Sequence, residues 1–281
     1  MILESKGGGH EGIATTRIAA VQMISGPGVG PNLATAGALV AQAAAGGARL
    51  VALPEYFPLI GAGDADRLAA REREGAGPIQ DFLADTARRA GVWLVGGSIP
   101  LFADAPGKLR NTCLVFDDRG ERVARYDKIH LFGFRKGAEA YDEAATIERG
   151  DQVIAFDAPF GRVGVAICYD LRFPELFRAM GPLDLLVLPA AFTETTGRAH
   201  WEMLLRARAV ENQCYVLASA QGGVHPSGRR TWGDSMLIDP WGQVINRLAR
   251  GPGVVVGDMN EDYLVEVRQN LPALGHRRLS C

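Results

Sequence analysis

The stretch Arg162-Val-Gly-Val-Ala-Ile-Cys-Tyr-Asp-Leu-Arg-Phe-Pro-Glu-Leu176 decides how the chain is read. Residues 162–167 form a short apolar run of the kind buried on both faces of a sheet. Pro174-Glu175-Leu176 reads as a helix start with proline in its first turn. Cys168 falls between them, at the carboxyl end of a strand, where open α/β sheets place their chemistry. The positive end of the helix that follows favours thiolate over thiol, so a lowered thiol pKa is expected.

Working outward, the same grammar occurs twice. Residues 17–23 are a β-like run, and Asn32 is expected to cap a helix carrying Leu33, Ala36 and Val40 on one face, ending at Gly46-Gly47. Residues 49–53 are a buried strand stopped by Pro54. Pro78 opens a helix with Ile79, Phe82, Leu83 and Ala87 on one side, stopped by Gly91. Residues 92–99 are the next strand, and 112–116 and 121–126 flank the hairpin signature Asp117-Asp118-Arg119-Gly120. Downstream come the helix after Pro174, a strand over 184–188, and a helix over 200–213 with Trp201, Leu204, Leu205 and Ala209 on one face. A strand over 215–220 and a hairpin around Pro240-Trp241-Gly242 complete the second copy.

Leu53-Pro54-Glu55 and Leu188-Pro189-Ala190 mark the repeat most plainly. Two copies without a structureless linker predict one α/β domain over 17–281. Its expected form is two sheets face to face with helices outside, a four-layer α-β-β-α sandwich with an internal pseudo-repeat. Residues 1–16, polar and glycine-rich, are read as a flexible tail.

Composition narrows the function. Of 281 residues, 47% are hydrophobic and 22% charged, which suits a soluble globular chain. The 30 basic and 32 acidic residues give a formal net charge of -2 with no basic stripe, arguing against nucleic acid or an anionic membrane as partner. No apolar run approaches the ~18 residues of a membrane span. Cys113, Cys168, Cys214 and Cys281 lack CxxC spacing, and His130, His200, His225 and His276 are scattered, so neither a metal centre nor a disulfide framework is expected. A reducing, cytoplasmic compartment fits this cysteine usage. The glycines of 26–30 lack the lysine and spacing of phosphate-binding loops, and no GxSxG occurs.

Three residues carry chemistry only when taken together. Glu55 alone is either a solvent-facing strand-end acid or a buried carboxylate. Lys128, in Tyr126-Asp127-Lys128-Ile129-His130-Leu131-Phe132, is either a surface lysine or a buried cation. Cys168 alone is either a small buried hydrophobe or a nucleophile. Attack on an amide carbonyl needs a nucleophile, a base and a cation near the developing oxyanion. Cys168, Glu55 and Lys128 supply all three.

The motifs LPEYF, YDKIHLF and CYDLRFPEL, in that order, resemble the nitrilase superfamily of carbon–nitrogen hydrolases over residues 17–278. The resemblance implies an α-β-β-α sandwich, a catalytic triad on Glu55, Lys128 and Cys168, and a supporting Glu143 that orients the lysine and the substrate. It implies an amide-cleaving reaction through a thioester, with the backbone N–H of Tyr169 and Lys128 holding the oxyanion and no cofactor. It further implies a small-molecule amide as partner and assembly into homodimers or larger homo-oligomers.

Residues 189–216, Asp239-Pro240-Trp241-Gly242 and residues 271–278 place the likeness in the Nit amidase branch, among proteins resembling deaminated glutathione amidase. Hydrolysis of α-ketoglutaramate, of carbamoyl amino acids or of nitriles are the alternatives, with a non-enzymatic scaffold more remote. True nitrilases tend to carry Cys-Trp-Glu where this chain has Cys168-Tyr169-Asp170. Arg172 is a candidate grip for a distant substrate carboxylate, against the alternative of an ion pair with Asp170 or Glu175. Phe192 and Thr193 are candidate pocket walls. Gly133 and Asp234 depart from the Asp and His that many Nit proteins have there.

Overall fold

The structure is a computed structural model and describes residues 15–137 and 139–279. Its first half contains β1 (Thr15–Gln22), α1 (Val29–Ala45), β2 (Leu50–Ala52), α2 (Asp64–Ala69), α3 (Pro78–Ala90), β3 (Trp93–Val95), β4 (Ile99–Phe102), β5 (Leu109–Phe116) and β6 (Arg122–Asp127). A small hairpin follows, β7 (Gly133–Lys136) and β8 (Glu139–Asp142). The second half contains β9 (Ala155–Ala158), β10 (Gly161–Val165), α4 (Pro174–Ala179), β11 (Leu185–Ala190), α5 (Glu194–Asn212), β12 (Tyr215–Ala220), β13 (Ser235–Ile238) and β14 (Val244–Leu248). Then come β15 (Gly253–Asn260) and α6 (Glu261–Asn270).

One sheet runs β15-β1-β2-β3-β5-β4 with β6 on the far side of β5, and the other runs β14-β13-β12-β11-β10-β9. The central strands of the first sheet are apolar on both sides because each face has its own cover. Ile18, Ala20, Leu50, Ala52, Cys113 and Val115 point into the core between the sheets. Their neighbours Ala19, Val21, Val51, Leu53 and Leu114 point the other way, onto Ala36, Val40 and Ala43 of α1 and Ile79, Leu83 and Ala87 of α3. On the other sheet, Leu185–Ala190 is buried throughout and packs with Trp201, Leu205 and Ala209 of α5. These are the four layers of the expected α-β-β-α sandwich. The two halves join where Met23 donates its N–H to Ala220 O (3.3 Å) and accepts that of Gly222 (2.8 Å).

Several local expectations shift. The first strand begins at Thr15, so Thr15 and Thr16, read as tail, pair with Asn260 and Met259 of β15. The rest of that expected tail, residues 1–14, lies outside the described residues, as does Cys281. Asn32 does not cap α1, which starts at Val29 after Gly28. Its buried amide instead ties Gly26 to Pro58, donating to both carbonyls at 2.8 Å. The run 92–99 is two strands, because Gly96 and Gly97 turn the chain between β3 and β4. β15, not anticipated as a strand, leaves the second half and pairs antiparallel with β1.

Gly97 sits at φ +58°, and a Cβ there would overlap the Pro54 carbonyl immediately before Glu55. Gly97→Ala is therefore expected to lose about 2–3 kcal/mol of stability, from a left-handed backbone and a clash together. Denaturant unfolding reads the loss, and a change below measurement error contradicts the packing described.

Candidate active site

Four strand ends deliver the site. Glu55 follows β2, Lys128 follows β6, Glu143 follows β8 and Cys168 follows β10. Glu55 and Lys128 are almost wholly buried, at 1% and 0% exposure, which settles both readings against a solvent-facing side chain. The Lys128 ammonium donates to Glu55 Oε1 at 2.8 Å and to both Glu143 oxygens, at 3.1 and 2.8 Å. Burial alone would lower its pKa, but the Glu143 and Glu55 carboxylates outweigh that and hold it well above the usual lysine value.

Each carboxylate is also fixed from other directions. Glu55 Oε1 accepts from Asn111 Nδ2 (3.0 Å), and Oε2 accepts the N–H of Ala191 (2.8 Å). Ala191 follows Leu188-Pro189-Ala190, so the second Leu-Pro strand end orients the acid carried by the first. Glu143 accepts from the Tyr56 hydroxyl (2.8 Å) and the Phe132 N–H (2.8 Å). Burial pushes its pKa up, but Lys128 and these donors bring it below the usual carboxylate range.

Cys168 opens a short 3-10 turn over Cys168–Arg172 with its backbone at φ +52°, a conformation that a non-glycine residue holds only when its surroundings impose it. Asp170 imposes it. Its buried carboxylate accepts from the N–H groups of Ile167 (2.9 Å) and His130 (3.0 Å), meets the His130 ring at 2.7 Å, and takes the Tyr126 hydroxyl at 2.7 Å. Arg208 of α5 secures the same turn by donating to Leu171 O at 3.0 and 2.8 Å. Sequence reasoning read Arg208 as a structural fixing without its partner, and missed Asp170 in this role. The signal available for Asp170 was its acid two residues after the cysteine, in an otherwise apolar segment.

The thiol itself reverses one expectation. Burial, and then the charge of Glu55, push the Cys168 pKa well above that of a free thiol, with Lys128 only partly opposing. The positive helix end does not win, because a six-residue α4 begins only after the 3-10 turn and the thiol faces carboxylates at close range. The N–H of Tyr169 lies in the first turn after Cys168, where no intrahelical acceptor exists.

Phe132, Tyr169, Ala191, Phe192, Thr193 and Thr196 line a narrow cleft over Cys168. Thr193 also caps α5, accepting from the Thr196 N–H at 3.2 Å, which starts that helix six residues before the expected position. Arg172 pairs with neither Asp170 nor Glu175. Its guanidinium stacks over Tyr169 (5.7 Å) and Phe192 (5.5 Å) and meets His200 Nδ1 at 3.2 Å. Asp234 is structural: buried at φ +62°, it pairs with Arg247, and its carbonyl accepts from the Trp201 ring N–H at 2.8 Å. Gly133 is exposed at the start of β7, opposite Asp142. Among the described residues no cluster of His, Cys, Asp and Glu has the makings of a metal site.

The chain is similar to known proteins over most of its length. The family model for carbon-nitrogen hydrolases matches residues 17–269. Deaminated glutathione amidase of Yersinia enterocolitica is 40% identical over 266 residues, covering 93% of this chain and 92% of its own. Omega-amidase NIT2 of Danio rerio is also 40% identical over 266 residues, covering 93% and 94%. The crystal structure of Saccharomyces cerevisiae Nit3, a member of branch 10 of the nitrilase superfamily, superposes with a TM-score of 0.84 at 28% identity, over 94% of this chain and 97% of that one.

Two outcomes follow for the ion cluster. Lys128→Met leaves two carboxylates buried without their cation and is expected to cost about 3–5 kcal/mol of folding stability, read by denaturant unfolding. Glu143 has a depressed folded pKa, so its stabilisation is present above the ordinary carboxylate pKa of ~4.3 and lost as pH falls through the lower folded value. Glu143→Gln should therefore flatten the acid limb of a Tm–pH curve. An acid limb as steep as in the parent protein contradicts the assignment.

Proposed function

The chain belongs to the carbon–nitrogen hydrolase family, the nitrilase superfamily, and on that premise we propose a cysteine amidase that opens the C–N bond of a small, carboxylate-bearing amide. The observation that carries this reading is a buried thiol beside a carboxylate that is itself ion-paired to a buried ammonium. A thiol with a raised pKa is a poor nucleophile unless a base removes its proton as it attacks. Glu55 is that base. Its two oxygens are held by Lys128, Asn111 and Ala191, so its orientation is set before substrate arrives.

The reaction runs in two halves. Cys168 sulfur bonds to the amide carbon while its proton passes to Glu55. The carbonyl oxygen gains the negative charge and is met by the Lys128 ammonium and the Tyr169 N–H. Glu55 then returns the proton to the nitrogen, the C–N bond breaks, and an amine, or ammonia from a primary amide, leaves a thioester on Cys168. A water that gives its proton to Glu55 attacks the thioester, and the thiol departs with that proton, releasing the acid. Glu143 keeps Lys128 in place through both halves, a positioning role.

Arg172 supports the preference for an acidic acyl group. It lies over the rings of Tyr169 and Phe192, two of the walls of the cleft over Cys168, and among the described residues no carboxylate pairs with it. The relatives named deaminated glutathione amidase and omega-amidase favour the same class, with deaminated glutathione as the first substrate to test. Assembly into at least a dimer is part of the proposal, supported by the exposed apolar Met203 and Val210 of α5 and nearby Trp241. A reducing cytosol is supported by three buried free thiols, Cys113, Cys168 and Cys214. Among the described residues no helix is long and apolar enough to cross a membrane.

An ammonia- and amine-release screen over deaminated glutathione, α-ketoglutaramate, carbamoyl amino acids and simple nitriles tests the reading. Cys168→Ala should lose turnover on every substrate while melting within a few degrees of the parent, and mass spectrometry of the parent during turnover should show an acyl adduct on Cys168. Amidase activity surviving in purified Cys168→Ala would remove the sulfur from its role. Losing an oxyanion contact typically costs about 3–4 kcal/mol at the transition state, so Lys128→Ala should fall by at least ~100-fold in kcat. Neutral amides turned over as well as acidic ones would remove Arg172 from substrate binding.

A further inference from the structure

Tyr56 follows Glu55 in the chain and reaches the same ion cluster by another route. In an extended strand, successive side chains point to opposite faces. Here the backbone turns at Tyr56 to φ +55°, a left-handed conformation that is an outlier for an aromatic residue. Ser98 Oγ holds the turn by accepting the Tyr56 N–H at 3.0 Å. The ring is buried, and the Arg67 and Arg229 guanidinium groups lie over it, 4.6 and 5.9 Å from its centre. Strain of this kind persists only where surrounding contacts impose it. Its result is to place the phenol on Glu143 Oε1, donating at 2.8 Å.

The proton count at Lys128 gives that contact its use. An ammonium has three donors. Among the described residues, those of Lys128 meet Glu55 Oε1 (2.8 Å), Glu143 Oε2 (2.8 Å) and Glu143 Oε1 (3.1 Å). To meet an oxyanion, the ammonium must withdraw one of them. The longest contact is the one to Glu143 Oε1, the oxygen that Tyr56 also serves. Oε2 has a second donor of its own in the Phe132 N–H, at 2.8 Å. Asp64, Arg67, Asp142 and Arg229 share a cavity wall with Glu143, yet among the described residues neither guanidinium hydrogen-bonds to it. Burial, and then the charge of Glu143, hold the phenol well above the usual tyrosine range, so it keeps its proton and remains a donor.

We propose that Tyr56 is a positioning residue for Lys128, its phenol keeping Glu143 Oε1 satisfied while the third ammonium proton turns to the oxyanion. Without the hydroxyl, Oε1 would be left as a charged acceptor with no donor at the moment Lys128 lets it go. That cost falls on the transition state and not on the bound substrate, because only the oxyanion draws the proton away. The proposal rests on the amidase reading above and adds the group that makes the ammonium available.

Tyr56→Phe keeps the ring and removes the hydroxyl. On an amide that the parent protein turns over, its kcat should fall by about tenfold or more, as expected for loss of one hydrogen bond to a charged group, with KM within about twofold. A kcat within about twofold of the parent overturns the proposal, as does a rise in KM alone. The Tm–pH curve reads the same contact without turnover. Losing a donor to its charged form raises the folded pKa of Glu143 toward the ordinary value, so the stabilisation present above that value shrinks and the acid limb becomes shallower. Tyr56→Phe should flatten that limb in the parent and leave it unchanged in Glu143→Gln. An equal change in both backgrounds, or none in either, overturns the route through Glu143. A parent protein that hydrolyses no amide defeats the amidase reading, and the paired curves still decide whether Tyr56 acts on Glu143.

Discussion

A lysine ammonium enclosed between two carboxylates is the interaction on which the rest of this structure depends. A charge removed from water must be met by opposite charge or by hydrogen bonds, or the fold loses several kcal/mol. Lys128 is met by Glu55 and Glu143, and both acids are met in turn by Asn111, Ala191, Tyr56 and Phe132. These groups come from strand ends of both sheets and from the small hairpin between them. The packing of the two sheets is therefore tied to the matching of these buried charges.

The same cluster sets the state of the Cys168 thiol. Two carboxylates and one ammonium leave a net negative charge, and a thiol placed against it keeps its proton. A site built this way disfavours a resting thiolate. It has a carboxylate held at fixed orientation beside a thiol, the arrangement that the proposed proton transfer during attack requires. Asp170 contributes the other half of the arrangement, gathering Ile167, His130 and Tyr126 so that Cys168 stays at a backbone angle it would not choose alone.

Much of this was legible in the chain. Residue types and order made Glu55, Lys128 and Cys168 a coherent set, and Glu143 entered through resemblance to known motifs. The strand over Tyr215–Ala220 and the helix after Pro78 stand where the periodicity and the proline put them. Other elements were less visible for a physical reason. Gly253–Asn260 and the hairpin Gly133–Asp142 are only partly buried, so their sequences carry little apolar alternation. Asn32 has the chemistry of a helix cap, but a buried carbonyl from a distant loop competes for its amide and wins.

What the sequence by itself determined is local: a strand–turn–helix segment around a thiol, a doubled Leu-Pro strand end, and sheets apolar enough to be covered on both faces. Only the tertiary structure decided which direction the thiol pKa moves, that Arg172 stacks on aromatics instead of pairing with Asp170, and that Ala191 turns the Glu55 carboxylate. Backbone preferences depend on a few neighbouring residues and can be read along the chain. Electrostatic outcomes depend on distances of a few ångströms between groups up to 136 positions apart, and those distances exist only once the layers have packed.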